Sequence, residues 1–241
     1  MNRKNHYNRI KINIRSAASR DVGIIDITGE IGVANENGDW NTAGAIKTRL
    51  REIANMNAEK IIVNINSLGG FVDDGLAIHD VLAMHPAKIE TRVIGVCASA
   101  ATVIAQAGDV RHMSDNALYL IHRAWGLVVG NVHQLREIAE ALKQIDARMA
   151  EIYAKRCGST HKKMLEVMSE NHGGGVWLSS DEAIAIGLID QIFKPTETGA
   201  QIFDQYKAIL RDGAIPAQSK ITALQKINVH RKRKNTNEIN N

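Results

Sequence analysis

The sequence predicts an α/β fold made of repeated strand–helix units, and three observations carry that expectation. Short apolar runs at Val22–Thr28, Lys60–Asn66 and Val93–Val96 each precede a segment of helical apolar spacing. Turns of glycine or small residues, Ser67-Leu-Gly-Gly70 and Cys97-Ala-Ser-Ala-Ala101, stand where strand gives way to helix. Strand, helix, strand, helix at such short spacings makes βα units with at least partly parallel strands.

Taken in order, Val22–Thr28 is a first strand closed by Gly29-Glu-Ile-Gly32, and residues 34–40 form a polar loop. Thr42 is placed to cap a helix running through Ile46, Leu50 and Ile53. Lys60–Asn66 is the second strand. Val72–Met84 has apolar residues at 72, 76, 78, 81, 82 and 84, a helical rather than alternating pattern. His85-Pro86 ends it, because a residue before proline avoids the helical region. Val93–Val96, a tight turn and a helix reaching Gly108 follow.

Val110–Met113 and Ala117–His122 are further strands joined by Ser114-Asp-Asn116, and residues 123–130 read as irregular or extended. A long helix over Val132–Cys157 carries Leu135, Ile138, Leu142, Ile145, Met149 and Ile152 at spacings of 3, 4, 3, 4 and 3. Such a seam suits a partner helix, and equally an ordinary core face. A second helix spans His161–Ser169, followed by Asn171-His-Gly-Gly-Gly175. Ser179 and Glu182 form a capping box for a short helix that Gly187 ends. Leu188–Phe193 is a final strand and Pro195 closes the domain; Gln201–Leu210 is one more helix candidate, and little fixed structure is expected beyond Pro216.

At 241 residues the chain can bury one substantial core, and with only 4% aromatics that core must be aliphatic. No run approaches the roughly 18 apolar residues of a membrane span, and the polar Met1–Arg9 offers no signal-peptide core. Two cysteines, Cys97 and Cys157, make neither a disulfide framework nor a zinc pattern, so a cytoplasmic location is expected, without metal or cofactor. The tails carry +6 (residues 1–20) and +5 (residues 218–241), so a chain of net +4 has a body of net charge −7. His230-Arg-Lys-Arg-Lys234 could touch nucleic acid or an acidic partner, but such a run is more often a solvated terminus.

Three features bear on chemistry. Ser99 stands at a strand-to-helix junction, where free N–H groups of a helix start surround its hydroxyl. The bland reading is an N-cap in a crowded turn. Gly69 and Gly70 let a second such junction turn its N–H groups toward a ligand, or simply make a tight βα turn. His122 ends a later strand, where a lone histidine is commonly structural. Together they supply a nucleophile, a base near working pH and oxyanion donors, the set acyl transfer needs.

Ile65-Asn-Ser-Leu-Gly-Gly70, Gly95-Val-Cys-Ala-Ser-Ala-Ala101, Tyr119-Leu-Ile-His122 and Trp177-Leu-Ser-Ser-Asp-Glu182 through Asp190, in this order, resemble the motifs of the ClpP family of serine peptidases. The flavour is that of the ClpP-related head maturation proteases of phages and prophages. The resemblance covers about residues 22–193 and implies a crotonase-like ββα spiral with the long helix as a protruding handle. It divides the chain into a basic segment (1–20), a peptidase domain (21–195, with the handle at about 131–170) and a C-terminal extension (196–241). It also implies stacked heptameric rings acting on polypeptides, with an ATP-driven unfoldase or capsid proteins as partners and no membrane.

By the resemblance Ser99 matches the nucleophile, His122 the general base, and Gly70 and Ala100 the two oxyanion donors. Leu68 replaces the usual proline of the Gly-Gly loop. The family's catalytic acid falls on Gly175, two residues before Trp177, where no carboxylate exists. Glu170 or Asn171 could serve from the same loop, the pair could work as a dyad, or activity could be weak or lost. Two other readings follow: a structural ring subunit that has lost catalysis, and a crotonase-type acyl-CoA enzyme, which needs no Ser–His pair.

Overall fold

The computed structural model describes residues 22–33, 42–54 and 58–194. The expected loop at 34–40, the closing Pro195, the helix candidate at 201–210 and both basic tails lie outside the described residues.

The described residues form seven strands and six helices, which alternate through the first three units. Strand β1 (Val22–Ile31), helix α1 (Ala43–Ala54), β2 (Lys60–Gly70), α2 (Val72–Ala83), β3 (Lys88–Ala98) and α3 (Ala100–Ala105) form three successive βα units. β4 (Val110–Ser114), β5 (Leu118–Ile121), α4 (Val132–Cys157) and α5 (His161–Ser169) come next. A 3-10 turn (Asn171–Gly173), β6 (Val176–Leu178), α6 (Ser180–Ala185) and β7 (Gln191–Phe193) complete it. The main sheet runs β1-β2-β3-β4-β7 with every pair parallel.

One strand serves two neighbours. The first half of β3 pairs with β4, through Glu90 to Val93, and its last residues, Val96 to Ala98, pair with β5. β5 in turn carries β6, the one antiparallel pairing of the sheet's described strands. This second branch diverges from the main sheet at the C-terminal end of β3, where strand ends gather and ligands bind in α/β folds.

Alternation sets the core. Ile25, Ile27, Ile61, Val63, Ile65 and Val93 point to one face and are fully or almost fully buried, beneath Ile46, Leu50 and Ile53 of α1 and Ile78 and Leu82 of α2. The other face is polar, with Asn64 donating to Asp26 at 2.7 Å and Glu90 held between Lys60 and Arg92.

Local signals placed most helix ends well. Thr42 accepts from the Ala45 N–H, and Asn131 and Gln134 make a reciprocal capping box that opens α4 at Val132. Only the second half of α4 joins the core, through Met149, Ala150, Tyr153 and Ala154. Its first half stands clear with Val132 and Leu135 exposed, preceded by Trp125, Leu127 and Val129, the last two over 90% exposed. Two expectations need adjustment. The final strand is shorter, because Leu188–Asp190 turns so that the Asp190 N–H donates to Arg111 and its carboxylate grips the Arg111 guanidinium. The strand β6 lies in a stretch that sequence reasoning left without an element.

Candidate active site

Ser99 closes β3 and caps α3, yet it does not behave as a cap. Its backbone sits at φ 56°, ψ −130°, and its side chain makes no capping hydrogen bond. A non-glycine residue there carries strain of order 1–3 kcal/mol, which persists only where the surroundings enforce it. They do so from both sides. The Ser99 N–H donates to Leu120 of β5 at 3.0 Å, and the Ser99 carbonyl accepts from both the N–H and the hydroxyl of Thr102. Thr102 is itself bonded to the buried Tyr153 of α4 at 2.6 Å, and its carbonyl takes the Tyr119 hydroxyl. The turn is clamped and the Ser99 hydroxyl is left out of the clamp. The thiol two residues earlier is no rival, since full burial pushes Cys97 well above the usual thiol range.

The Gly-Gly loop lies against this turn. A Cβ added to Gly69 would fall 2.6 Å from Ser99 Cβ and 3.0 Å from the Ala100 nitrogen, so only glycine admits so close an approach. Ser67, buried at the end of the loop's strand, accepts from the Gly69 N–H at 3.0 Å and donates to the Gly29 carbonyl, which pins the turn. The Phe71 N–H donates to the Ile31 carbonyl of β1 at 3.0 Å, which holds the end of the loop against that strand. Gly70, the last residue of β2, is exposed. Ala100 opens α3, where the first N–H groups have no partner within the helix.

His122 arrives on the neighbouring strand. Ala98 pairs with Leu120, so Ser99 and His122 occupy the C-terminal ends of adjacent parallel strands. The imidazole is about nine-tenths buried. Burial lowers its pKa below 6.5, while a hydrogen bond to the Arg123 backbone and the Asp146 carboxylate act in the opposite direction. The net effect is a neutral ring at pH 7, the form that accepts a proton.

The expected acid position is where the structure adds most. β5 and β6 pair Ile121 with Val176, which lays Gly175 against His122. A Cβ on Gly175 would fall 1.9 Å from the Ile121 oxygen and 2.7 Å from His122 Cα, at a φ of +70°. No side chain fits there with this backbone. Asn171 is engaged elsewhere, donating its amide to the Gly175 carbonyl at 2.6 Å. Glu170 lines a surface pocket with Arg123, Lys162, Leu165, Glu166 and Ser169.

The carboxylate that reaches this region is one that sequence reasoning passed over. Asp146 of α4 is 5% exposed, accepts from the Ala124 N–H at 2.7 Å and pairs with Arg123 at 3.0 Å. A signal existed: Asp146 stands four residues after Leu142 and three before Met149, on the inward stripe of its helix. An acid on such a stripe is rarely buried without a partner.

Residues 20–196 match the family model described as Clp protease. The ATP-dependent Clp protease proteolytic subunits of Streptococcus pyogenes and of Streptococcus equi subsp. equi are each 34% identical over 145 residues, 58% of this chain and 72% of theirs. Among solved structures, ClpP1 from Listeria monocytogenes and a point mutant of it superpose with TM-scores of 0.58 and 0.60. At 24% identity over 73% of this chain and 93% of theirs, those two speak to the fold.

Proposed function

The chain belongs to the Clp protease family, and from that premise we propose that it is a serine endopeptidase working through an acyl-enzyme, with Ser99 as nucleophile and His122 as general base. The observation that carries the proposal is the Ser99 turn: a strained serine, clamped through its main chain, with a hydroxyl no cap uses. Neutral His122 takes the Ser99 proton as Oγ attacks the peptide carbonyl. The N–H groups of Gly70 and Ala100 hold the oxyanion, each such donor being worth about 3–4 kcal/mol in related chemistry. The imidazolium then gives its proton to the leaving amine, and water, activated by the same ring, releases the acyl group.

A fluorophosphonate probe tests this. It should label the wild-type protein at Ser99, and absence of labelling in assembled protein would overturn the assignment. A second reading, a ring subunit without catalysis, is favoured by Gly175, and that negative result would establish it. The acyl-CoA alternative is disfavoured because such a site has no use for the Ser99–His122 pair.

The pH dependence follows from burial of His122. The active form is the neutral ring and its pKa is lowered, so activity is present above the ring's pKa and is lost as pH falls through it. The acid limb of kcat/KM against pH should therefore lie below 6.5, the ring's ordinary value, with a plateau by about pH 7.

Family membership supports an oligomeric protease of polypeptides; stacked heptameric rings, joined through the handle, are the finer reading. The exposed Leu127 and the half-exposed Leu135 at the handle support it, being large apolar groups open to solvent. Leu127→Glu with Leu135→Glu should leave the fold intact by circular dichroism while reducing particle mass in analytical ultracentrifugation. Unfolded or capsid-associated polypeptides are the substrates we favour, from the sequence resemblance to head maturation proteases. An unfoldase or capsid protein is the partner this reading implies, in the cytoplasm. Among the described residues no helix is long and apolar enough to cross a membrane.

A further inference from the structure

Among the described residues no acid bonds to His122, yet the residues that follow the histidine are held firmly. The Arg123 N–H donates to Gly173 at 3.1 Å. Its guanidinium donates to Ser169 of α5 through Nε and Nη2 at 2.9 and 2.7 Å, and to Asp146 of α4 through Nη1 at 3.0 Å. Ala124 donates its N–H to the second Asp146 oxygen at 2.7 Å. One buried carboxylate therefore grips two consecutive residues, by side chain and by main chain, immediately after His122. Burying a carboxylate is costly, and an ion pair so placed is weak evidence for stability alone.

We propose that Asp146 is the positioning carboxylate of this site, fixing the main chain that carries His122 and supplying negative charge to its ring from one residue away. The inference rests on the Ser99–His122 reading and deepens it. In an ordinary triad the acid bonds the ring directly, orients it and stabilises the imidazolium. Here Gly175 leaves no room for that residue, and the two duties are divided. Orientation comes from the clamp on Arg123 and Ala124. Charge comes from Asp146, the carboxylate whose field reaches the ring. The other charged groups near this strap are Arg123 itself, Lys162, Glu166 and Glu170, which line the pocket on α5 with it, and His172 of the 3-10 turn. Asp146 is buried, so its field is screened least.

The test reads the titration of His122 directly, by mass-spectrometric hydrogen exchange at its ring C2 across pH, on the full-length assembled protein. Asp146→Asn keeps shape and can still accept from Ala124, but removes the charge; the His122 pKa should fall and the acid limb of kcat/KM should move down with it. The value of kcat should drop on the order of tenfold with KM little changed, far short of the roughly 10⁴ of a directly bonded acid. Arg123→Gln removes the opposing cation, and the His122 pKa should rise. Opposite shifts identify charge acting on the ring. Unchanged titration in both variants, or shifts of the same sign, would overturn the inference and leave Asp146 a packing residue. Probe labelling of Ser99 in wild-type protein is scored separately: its absence sinks the peptidase reading, while the titration still decides the role of Asp146.

Discussion

Ser99→Ala should abolish fluorophosphonate labelling and lower peptidase turnover by on the order of 10⁴-fold or more, with the fold retained. The loss is large because the hydroxyl is the atom that forms the acyl bond, and nothing adjacent can replace it. Cys97 is fully buried with its thiol pKa raised, and Thr102 spends its hydroxyl on the Ser99 carbonyl and on Tyr153. Stability should hardly change, since alanine at φ 56° keeps the same backbone strain and loses no cap bond. Ser99→Gly separates the two effects. It should be equally inactive but about 1 kcal/mol more stable, as glycine adopts that φ without strain. A thermal melt of the three proteins beside the labelling gel checks both halves. A stable Ser99→Ala protein that still cleaves peptides would remove Ser99 from the mechanism.

Gly175→Asp, the substitution that would restore the family's acid on paper, should instead destabilise the protein by about 3–5 kcal/mol and gain no activity. The obstacle is the Cβ and not the carboxylate: at φ +70° it would enter the Ile121 carbonyl at 1.9 Å and crowd His122 Cα and Cβ at 2.7 Å. Relief requires β6 to separate from β5, and with it the strand that sets the place of His122. Gly175→Ala should cost nearly as much, which distinguishes a steric effect from an electrostatic one. For a domain of this size each kcal/mol moves Tm by roughly 2–4 °C, so both variants should melt roughly 6–20 °C lower. A stable Gly175→Asp protein with raised turnover would show that the 173–175 loop adopts another backbone and that the site is a degraded triad.

Much of the fold is legible in the sequence because its signals are local. The bounds of α4 at Val132 and Cys157 and of α5 at His161 and Ser169 follow from apolar spacing, polar caps and the glycine after Cys157. The β1, β2 and β3 runs announce themselves by apolar content, although each extends further than its apolar stretch: β2 continues through Ser67-Leu-Gly-Gly70 because β1 follows it across a register shift. The three-residue β6 has no period to read, and it exists because β5 offers it an edge. Likewise only pairing decides that β3 changes partner after Val93, which is what brings His122 beside Ser99 rather than Met113.

The sequence by itself determined the order of the strands and helices other than β6 and, through its family resemblance, the candidate nucleophile, base and oxyanion donors and the absence of a carboxylate at position 175. Each of those is a matter of residue identity at a spacing, which a linear chain displays. The tertiary structure alone decided that Gly175 has no room for a side chain and that the Ser99 hydroxyl is free of capping. It also placed a carboxylate from α4, more than twenty residues downstream, so that it holds the segment after His122. Those facts depend on which backbone atoms meet across strands and helices distant in sequence. Contact of that kind is set by packing and strand register, and no local pattern of residues encodes it.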